Sequence, residues 1–426
     1  MGEVIMMLKQ PNTQWVLTGT ALLGLASGVI GTFALLKKQS LIGDAMAHAA
    51  LPGMCLAFIL YGEKSIVLFM IGAAIFSLLA TFCIEAIVKH SRIKQDSAIS
   101  IVLSVFFGFG VVLLTKITQE SYGNKSGLDA YLFGQAASLV KSDLIVISIV
   151  SAILLFFTLF LFKELKLFTF DEQFAIGLGI NVSILNALLM VLIVGAIVIG
   201  LQTVGVVLMA AMLITPAIAA RYWTDELHLM VIISGMIGAF SGMCGTVIST
   251  LTHGLSTGPV IVVSATLIFI VSFLFGTKKG IVSQWLNQCF ARTKLEQNRL
   301  LITLYESLEK AHDDVIPIHS LTKLEKKLLK KLSKRHFVKP IDDNLIILTN
   351  KGLQKAYEIT LNERLQEIFI IHENQFKQYD LFPEQKINLL KVPKPLRDEL
   401  LELLKKNGKM PKIRPNYERG GRMHEL

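Results

Sequence analysis

The run Leu41-Ile42-Gly43-Asp44-Ala45-Met46-Ala47-His48-Ala49-Ala50-Leu51-Pro52-Gly53 places a carboxylate and an imidazole four residues apart. On a helix, positions i and i+4 share one face. Asp44 and His48 so placed can hold one divalent cation. Two ligands do not complete a coordination shell, so others must come from another segment or from backbone carbonyls. The surroundings are apolar, and an ionisable group near a membrane segment is costly and rarely sits there without a role. A structural reading stands beside this one. Asp44 would cap a helix that starts after Gly43, and His48 would hydrogen-bond a neighbouring helix.

A second run, from Val204 to Arg221, opens with small residues that suit close helix packing. Pro216, after Thr215, fits the first turn of a new short helix, where its missing N–H does no harm. Arg221, Asp225, Glu226 and His228 then mark a polar return. A short projecting helix could dock a partner; the plainer alternative is a kinked span with an ordinary loop. A third set is Lys323, Lys326, Lys327, Lys330, Lys331, Lys334 and Arg335 on one basic amphipathic helix. Three readings stand for it: nucleic-acid phosphates, anionic lipid, or a solvated face. His312, His319, His336 and His372 have no metal-ligand spacing. Cys55, Cys83, Cys244 and Cys289 form no CxxC pair, and the first three read as small buried hydrophobes.

The elements that must position these groups follow from composition. Hydrophobic residues make up 53% of the 426 and charged residues 17%, against about 25% charged in soluble domains. This excludes an ordinary soluble enzyme. Of 42 Lys+Arg and 32 Asp+Glu, 29 and 19 fall in 277–426, so the whole net charge of +10 lies there. The chain is an apolar body with a basic tail. The opening residues lack a cleavable signal pattern.

A membrane-crossing helix needs about 20 apolar residues. Candidate spans are 15–36, 46–61, 65–88, 98–116, 143–162, 182–201, 203–220, 229–250 and 258–276. That makes nine, or eight, since 46–61 and 203–220 are short. The expected body, 1–277, is an all-α polytopic membrane helix bundle. Lys37-Lys38, 89–94, 163–166, 221–228 and Lys278-Lys279 are basic or polar turns that the positive-inside rule puts in the cytoplasm, with 117–142 outside. The tail, 280–426, is expected to be a cytoplasmic α+β winged-helix-like domain. It has helical spacing over 294–311, a helix over 319–336 with Ser320 as N-cap, a hairpin around Asp342-Asp343-Asn344, and another helix from about Asn350.

The run GDAMAHAALPG, with the Gly-rich stretch before it, resembles the permeases of the ABC-3 type metal-ion importers, for manganese, zinc or iron. Four further motifs follow in order: Ser97–Ser104, Tyr131–Gly134, Phe170–Ala175 with Gly177, and Val204–Arg221. The likeness covers about 14–277. It implies no resident cofactor and a divalent metal ion as cargo, with Asp44 and His48 lining its path. The segment after Thr215-Pro216, with Arg221, Asp225 and Glu226, would be the coupling helix for a cytoplasmic ABC ATPase. Further implied partners are an extracytoplasmic metal-binding protein and a second permease subunit, in the cytoplasmic (inner) membrane of a bacterium. No GxxxxGK[ST] phosphate loop occurs in the chain, so ATP hydrolysis would belong to the separate ATPase and this chain is not itself an enzyme.

Residues 299–402 resemble the diphtheria-toxin-repressor family. The anchors are Leu300–Glu309, Pro317, Leu348–Gly352 and Arg364–Glu367. This copy departs from that pattern. It is short between Pro317 and Thr349, and of the family's metal positions only Glu363 and Glu367 have counterparts. Those departures argue against DNA as a partner. The alternative functions are a membrane-tethered metal-responsive transcriptional regulator and a secondary transporter without an ATPase.

Overall fold

The computed structural model describes residues 10–62, 65–119, 134, 136, 139–251, 255–311, 315–317, 322–342, 345–372 and 394–413. Its contacts divide the chain into two units, Met1–Trp285 and Leu286–Leu426. The division falls inside one helix rather than at Gly280, because helical spacing continues where apolar composition ends.

Among the described residues the first unit's elements are helices: α1 Pro11–Leu36, α2 Ser40–Tyr61, α3 Ile66–His90, α4 Gln95–Gln119, α5 Lys141–Phe160, α6 Phe162–Phe170, α7 Glu172–Gly177, α8 Val182–Thr203, α9 Val206–Arg221, α10 Leu227–Leu251 and α11 Thr257–Phe275. Among the described residues, eight of these are long and apolar enough to cross a membrane. The exceptions are α6, α7 and α9. At 16 residues, α9 is about 24 Å long. It nevertheless runs between the two ends of the bundle. Val204 before it packs against Gly134, which accepts a hydrogen bond from Ser256 at the start of α11. Tyr222 after it accepts the amides of Lys278 and Lys279 just past the end of α11. Much of α9 is buried, packed against α1, α2, α10 and α11, so it need not match the full thickness of lipid. The counts of eight and nine thus describe the same bundle.

The most extensive helix pairing joins α1 and α10. It depends on glycine. A Cβ on Gly24 would collide with the backbone of Gly238, and one on Gly28 with that of Ser234. Hydrogen side chains let the two backbones touch, as in membrane bundles where small residues face each other. Ser234 Oγ donates to the Gly28 carbonyl at 2.7 Å, and Thr20 and Thr246 hydroxyls pair at 3.0 Å. Gly53 and Gly72 bring α2 and α3 together in the same way, and Ser77 Oγ donates to the Met46 carbonyl at 2.8 Å.

One end of the bundle collects the basic turns. Lys37 pairs with Glu172 at 2.8 Å and lies over the Phe168 ring. Lys279 pairs with Asp225 at 2.9 Å. The opposite end holds Gly134, Ala136 and the start of α11, where Thr257 Oγ1 accepts the Ala136 amide at 2.8 Å.

The second unit opens within α12 (Ile281–Ala311) and continues β1 Ile316–Pro317, α13 Lys323–Lys334, β2 Val338–Asp342, β3 Leu345–Leu348, α14 Asn350–Ile371 and α15 Lys394–Lys406. The sheet is antiparallel in the order β1-β3-β2. Leu328, Leu329 and Leu332 of α13 join a core with Leu300, Leu304, Tyr305, Val338 and Ile346. The N-cap of α13 is Thr322. Its hydroxyl accepts the Glu325 amide, and the Glu325 carboxylate accepts the Thr322 amide at 2.7 Å. This is a capping box. Ser320, His312 and His319 lie outside the described residues. Among those described, one helix lies between β1 and β2. A second core joins α14 to α15 through Leu361, Leu365, Ile368, Leu396 and Leu400.

Candidate functional site

Asp44 and His48 sit on α2, which starts at Ser40 with Gln39 as N-cap. The capping role read for Asp44 is therefore excluded, because the carboxylate is already in the second turn. The polar pair had made 46–61 look short; the helix has 22 residues.

The two side chains share a face, with His48 Nε2 3.6 Å from Asp44 Oδ1. That is too long for a good hydrogen bond. It is close to the separation of two ligands on one ion, since bonds of about 2.1 Å at a tetrahedral angle put donors about 3.4 Å apart. The His48 side chain is 15% exposed and that of Asp44 37%. The Phe107 ring meets the imidazole edge-on at 4.8 Å. His48 Nδ1 is enclosed, with no hydrogen-bond partner among the described residues. Pro52, inside α2, has no N–H, so the His48 carbonyl cannot receive the usual i+4 helical bond. One turn of α2 thus offers a carboxylate, an imidazole and an undercommitted carbonyl. Among the described residues no group of three or more His, Cys, Asp or Glu could hold a metal. Asp44 and His48 are a pair, not a complete ligand set, among the described residues.

A polar chain at the basic end braces this helix and was not picked out from the sequence. Gln39 Nε2 donates to Asn186 Oδ1 at 2.9 Å, and Asn186 Nδ2 to Glu85 Oε1 at 3.2 Å. It ties the start of α2 to α8 and α3. The signal was Glu85, a lone acid in an apolar helix.

No new helix begins at Pro216. Thr215 and Pro216 lie inside continuous α9, and Pro216 is buried. The missing proline N–H costs one helical bond, which dense packing on α9 makes tolerable. Arg221, Asp225 and Glu226 are exposed beyond it. Asp225 is held below the usual carboxylate range by the hydrogen bond and charge of Lys279, with smaller help from Lys278 and Arg221. The protruding short helices are instead α6 and α7. Asp171 caps α7 by accepting the Phe174 amide at 2.8 Å. Phe170, Phe174, Ile176 and Leu178 are all exposed there.

On α13, Lys326, Lys327, Lys330, Lys331, Lys334 and Arg335 are exposed. Lys323 belongs to the same helix. Arg335 donates to Gln297 at 3.2 Å. Asp44 and His48 and these cations therefore belong to different units.

The profile of the ABC 3 transport family matches residues 9–276. The manganese transport system membrane protein MntC of Bacillus subtilis (strain 168) is 48% identical over 96% of this chain and 95% of its own. The zinc transport system membrane protein TroC of Treponema pallidum (strain Nichols) is 40% identical over 67% of this chain and 95% of its own. A solved structure, PsaBC from Streptococcus pneumoniae in complex with Fab, matches with a TM-score of 0.60 and 34% identity, covering 67% of this chain and 99% of that one.

Proposed function

The chain belongs to the ABC 3 transport family, and from that premise and the Asp44–His48 face we propose that it is the permease subunit of an ATP-driven importer of divalent metal ions, manganese first among them. The observation that carries this is a carboxylate and an imidazole at metal-bridging distance on a helix of a membrane bundle. A hard carboxylate with a borderline imidazole suits manganese, zinc or ferrous iron. Manganese is preferred because the relative that aligns along nearly the whole chain is a manganese transport protein. Zinc is the alternative, from TroC.

Each chain brings two side-chain ligands. A second permease subunit would bring its own pair; four donors complete a tetrahedral shell for zinc and leave two positions of manganese's octahedral shell to carbonyls or water. By the positive-inside rule the basic end faces the cytoplasm, and the tail after α11 lies there too. The end with Gly134 and Thr257 then receives metal from an extracytoplasmic binding protein. Rocking of the two subunits would expose the shell first to that side and then to the cytoplasm. ATP hydrolysis belongs to a separate cytoplasmic ATPase. Its docking surface on this chain is best supported at α6–α7, where four large apolar side chains stand free at the basic end. Arg221, Asp225 and Glu226 are exposed at the same end. The tail, with its β1-β3-β2 sheet and β2–β3 hairpin, reads as a winged-helix-like domain with, among the described residues, one helix between β1 and β2 where two would precede the wing.

The test is manganese uptake in cells that also make the ATPase and binding protein. Asp44→Ala and His48→Ala should each abolish uptake while the membrane content of the protein stays normal. Uptake at the wild-type rate in both variants would remove the pair from the path.

A further inference from the structure

The first three turns of α12 carry an apolar stripe that is exposed among the described residues. Ile281, Val282, Trp285, Leu286, Cys289 and Phe290 recur at spacings of one and three, so they share one side of the helix. All six are exposed, Trp285 by 63% and Phe290 by 72%. The other side carries Ser283, Gln284, Asn287, Gln288 and Lys294. A stripe of this size in water is unfavourable and marks an interaction surface.

What covers it is set by where it starts. The last span ends at Phe275 and α12 begins at Ile281. The link is a tight turn: the Gly276 amide still bonds the Ser272 carbonyl, and the Gly280 amide bonds the Gly276 carbonyl. Gly276 takes an extended backbone, which ends the span's helical direction. A Cβ on Gly280 would strike the Gly276 carbonyl, so the turn can close only on glycine. Lys278 and Lys279 stand in the turn, and Lys279 is tied to Asp225. The stripe therefore emerges within a few residues of the bilayer surface, beside two lysines, with a tryptophan in its second turn. Tryptophan and a Lys/Arg-flanked apolar face are the side chains that settle at the headgroup level.

We infer that Ile281–Phe290 is an interfacial helix, lying in the headgroup region of the leaflet at the basic end with its apolar stripe on the acyl chains. Lys278 and Arg292 meet anionic headgroups, while Lys279 holds the turn to Asp225. The inference needs the spans to lie in a bilayer; it does not depend on which metal is carried.

The test uses the full chain with Trp15→Phe and Trp223→Phe, which leaves Trp285 as the sole tryptophan of the three. The protein is reconstituted in nanodiscs of phosphatidylethanolamine and phosphatidylglycerol. In one series the lipids are brominated near the carbonyl end of the acyl chains, in another near the methyl end, and a third is titrated with aqueous iodide. The expected result is loss of Trp285 emission with the shallow bromines, less with the deep ones, and least with iodide. Quenching by iodide without quenching by bromolipid would show a solvated stripe and overturn the inference. Protection from both would show the stripe covered by protein, such as a second copy, and would overturn it equally.

Discussion

At the scale of single residues, chemistry divides between the two units. On the proposed path His48 would be the softer ligand of the pair, since imidazole favours zinc where carboxylate favours manganese. His48→Asp should therefore lower zinc uptake more than manganese uptake when both are supplied together. Equal loss of the two would show that His48 does not select the metal. In the tail, the buried Tyr305 hydroxyl donates to the Ile413 carbonyl at 2.7 Å and accepts the Ile413 amide at 3.2 Å. Burial, helped by the Glu309 charge, pushes this phenol up to about 12. It stays a donor at any physiological pH; the contribution is present below the ordinary tyrosine value and is lost as pH rises through about 12. Tyr305→Phe should cost about 1 kcal/mol. Faster amide exchange at Ile413 is the measurement, and unchanged exchange would mean that the segment is held by its other contacts.

At the scale of elements, two surfaces differ in what they tolerate. The α1–α10 contact admits only hydrogen at Gly24 and Gly238. Gly24→Ala must push the helices apart, and overpacking of this kind costs about 1–3 kcal/mol. Thermal denaturation of the purified variant should show a lower midpoint, and uptake should fall with it. The α6–α7 surface is the reverse case, apolar where nothing in the chain needs it. Phe174→Ser with Ile176→Ser should leave the bundle's melting temperature unchanged and weaken co-purification of the ATPase. If instead deletion within 222–226 releases the ATPase and the α6–α7 variant does not, docking belongs to the loop after α9.

At the scale of the whole molecule, charge sets orientation. The basic turns converge on one end of the bundle, and the positive-inside rule then predicts Arg92 inside and Leu255 outside. In a Cys289→Ser background, Leu255→Cys should react with an impermeant thiol reagent on intact cells. Arg92→Cys should react only after permeabilisation. The reverse pattern would invert the protein. The exposed cations of α13 give the tail an electrostatic attraction for phosphates, and among the described residues no second helix stands between β1 and β2 to seat it in a groove. DNA binding by the full chain should be weak and fall steeply with salt. Tight binding to one operator, strengthened by manganese, would promote the regulator reading.

Sequence alone determined the class of molecule and that Asp44 and His48 share one helix face. Runs of about 20 apolar residues have few fates in water, and an i,i+4 carboxylate and imidazole share a face in any α-helix. The charge split between body and tail was legible for the same reason: it is a sum over local composition. Tertiary structure decided the rest, because each remaining point depends on residues distant in the chain. Ser40 as the start of α2 was hidden by the polar pair's low hydropathy. Pro216 looked like a helix start because proline usually is one in water; its enclosure in α9 needed α1, α2, α10 and α11 around it. The Gln39–Asn186–Glu85 chain spans three helices and has no local signature. Nor does a glycine show in sequence which backbone it will touch: Gly24 and Gly238 are far apart in the chain and meet only when the bundle closes.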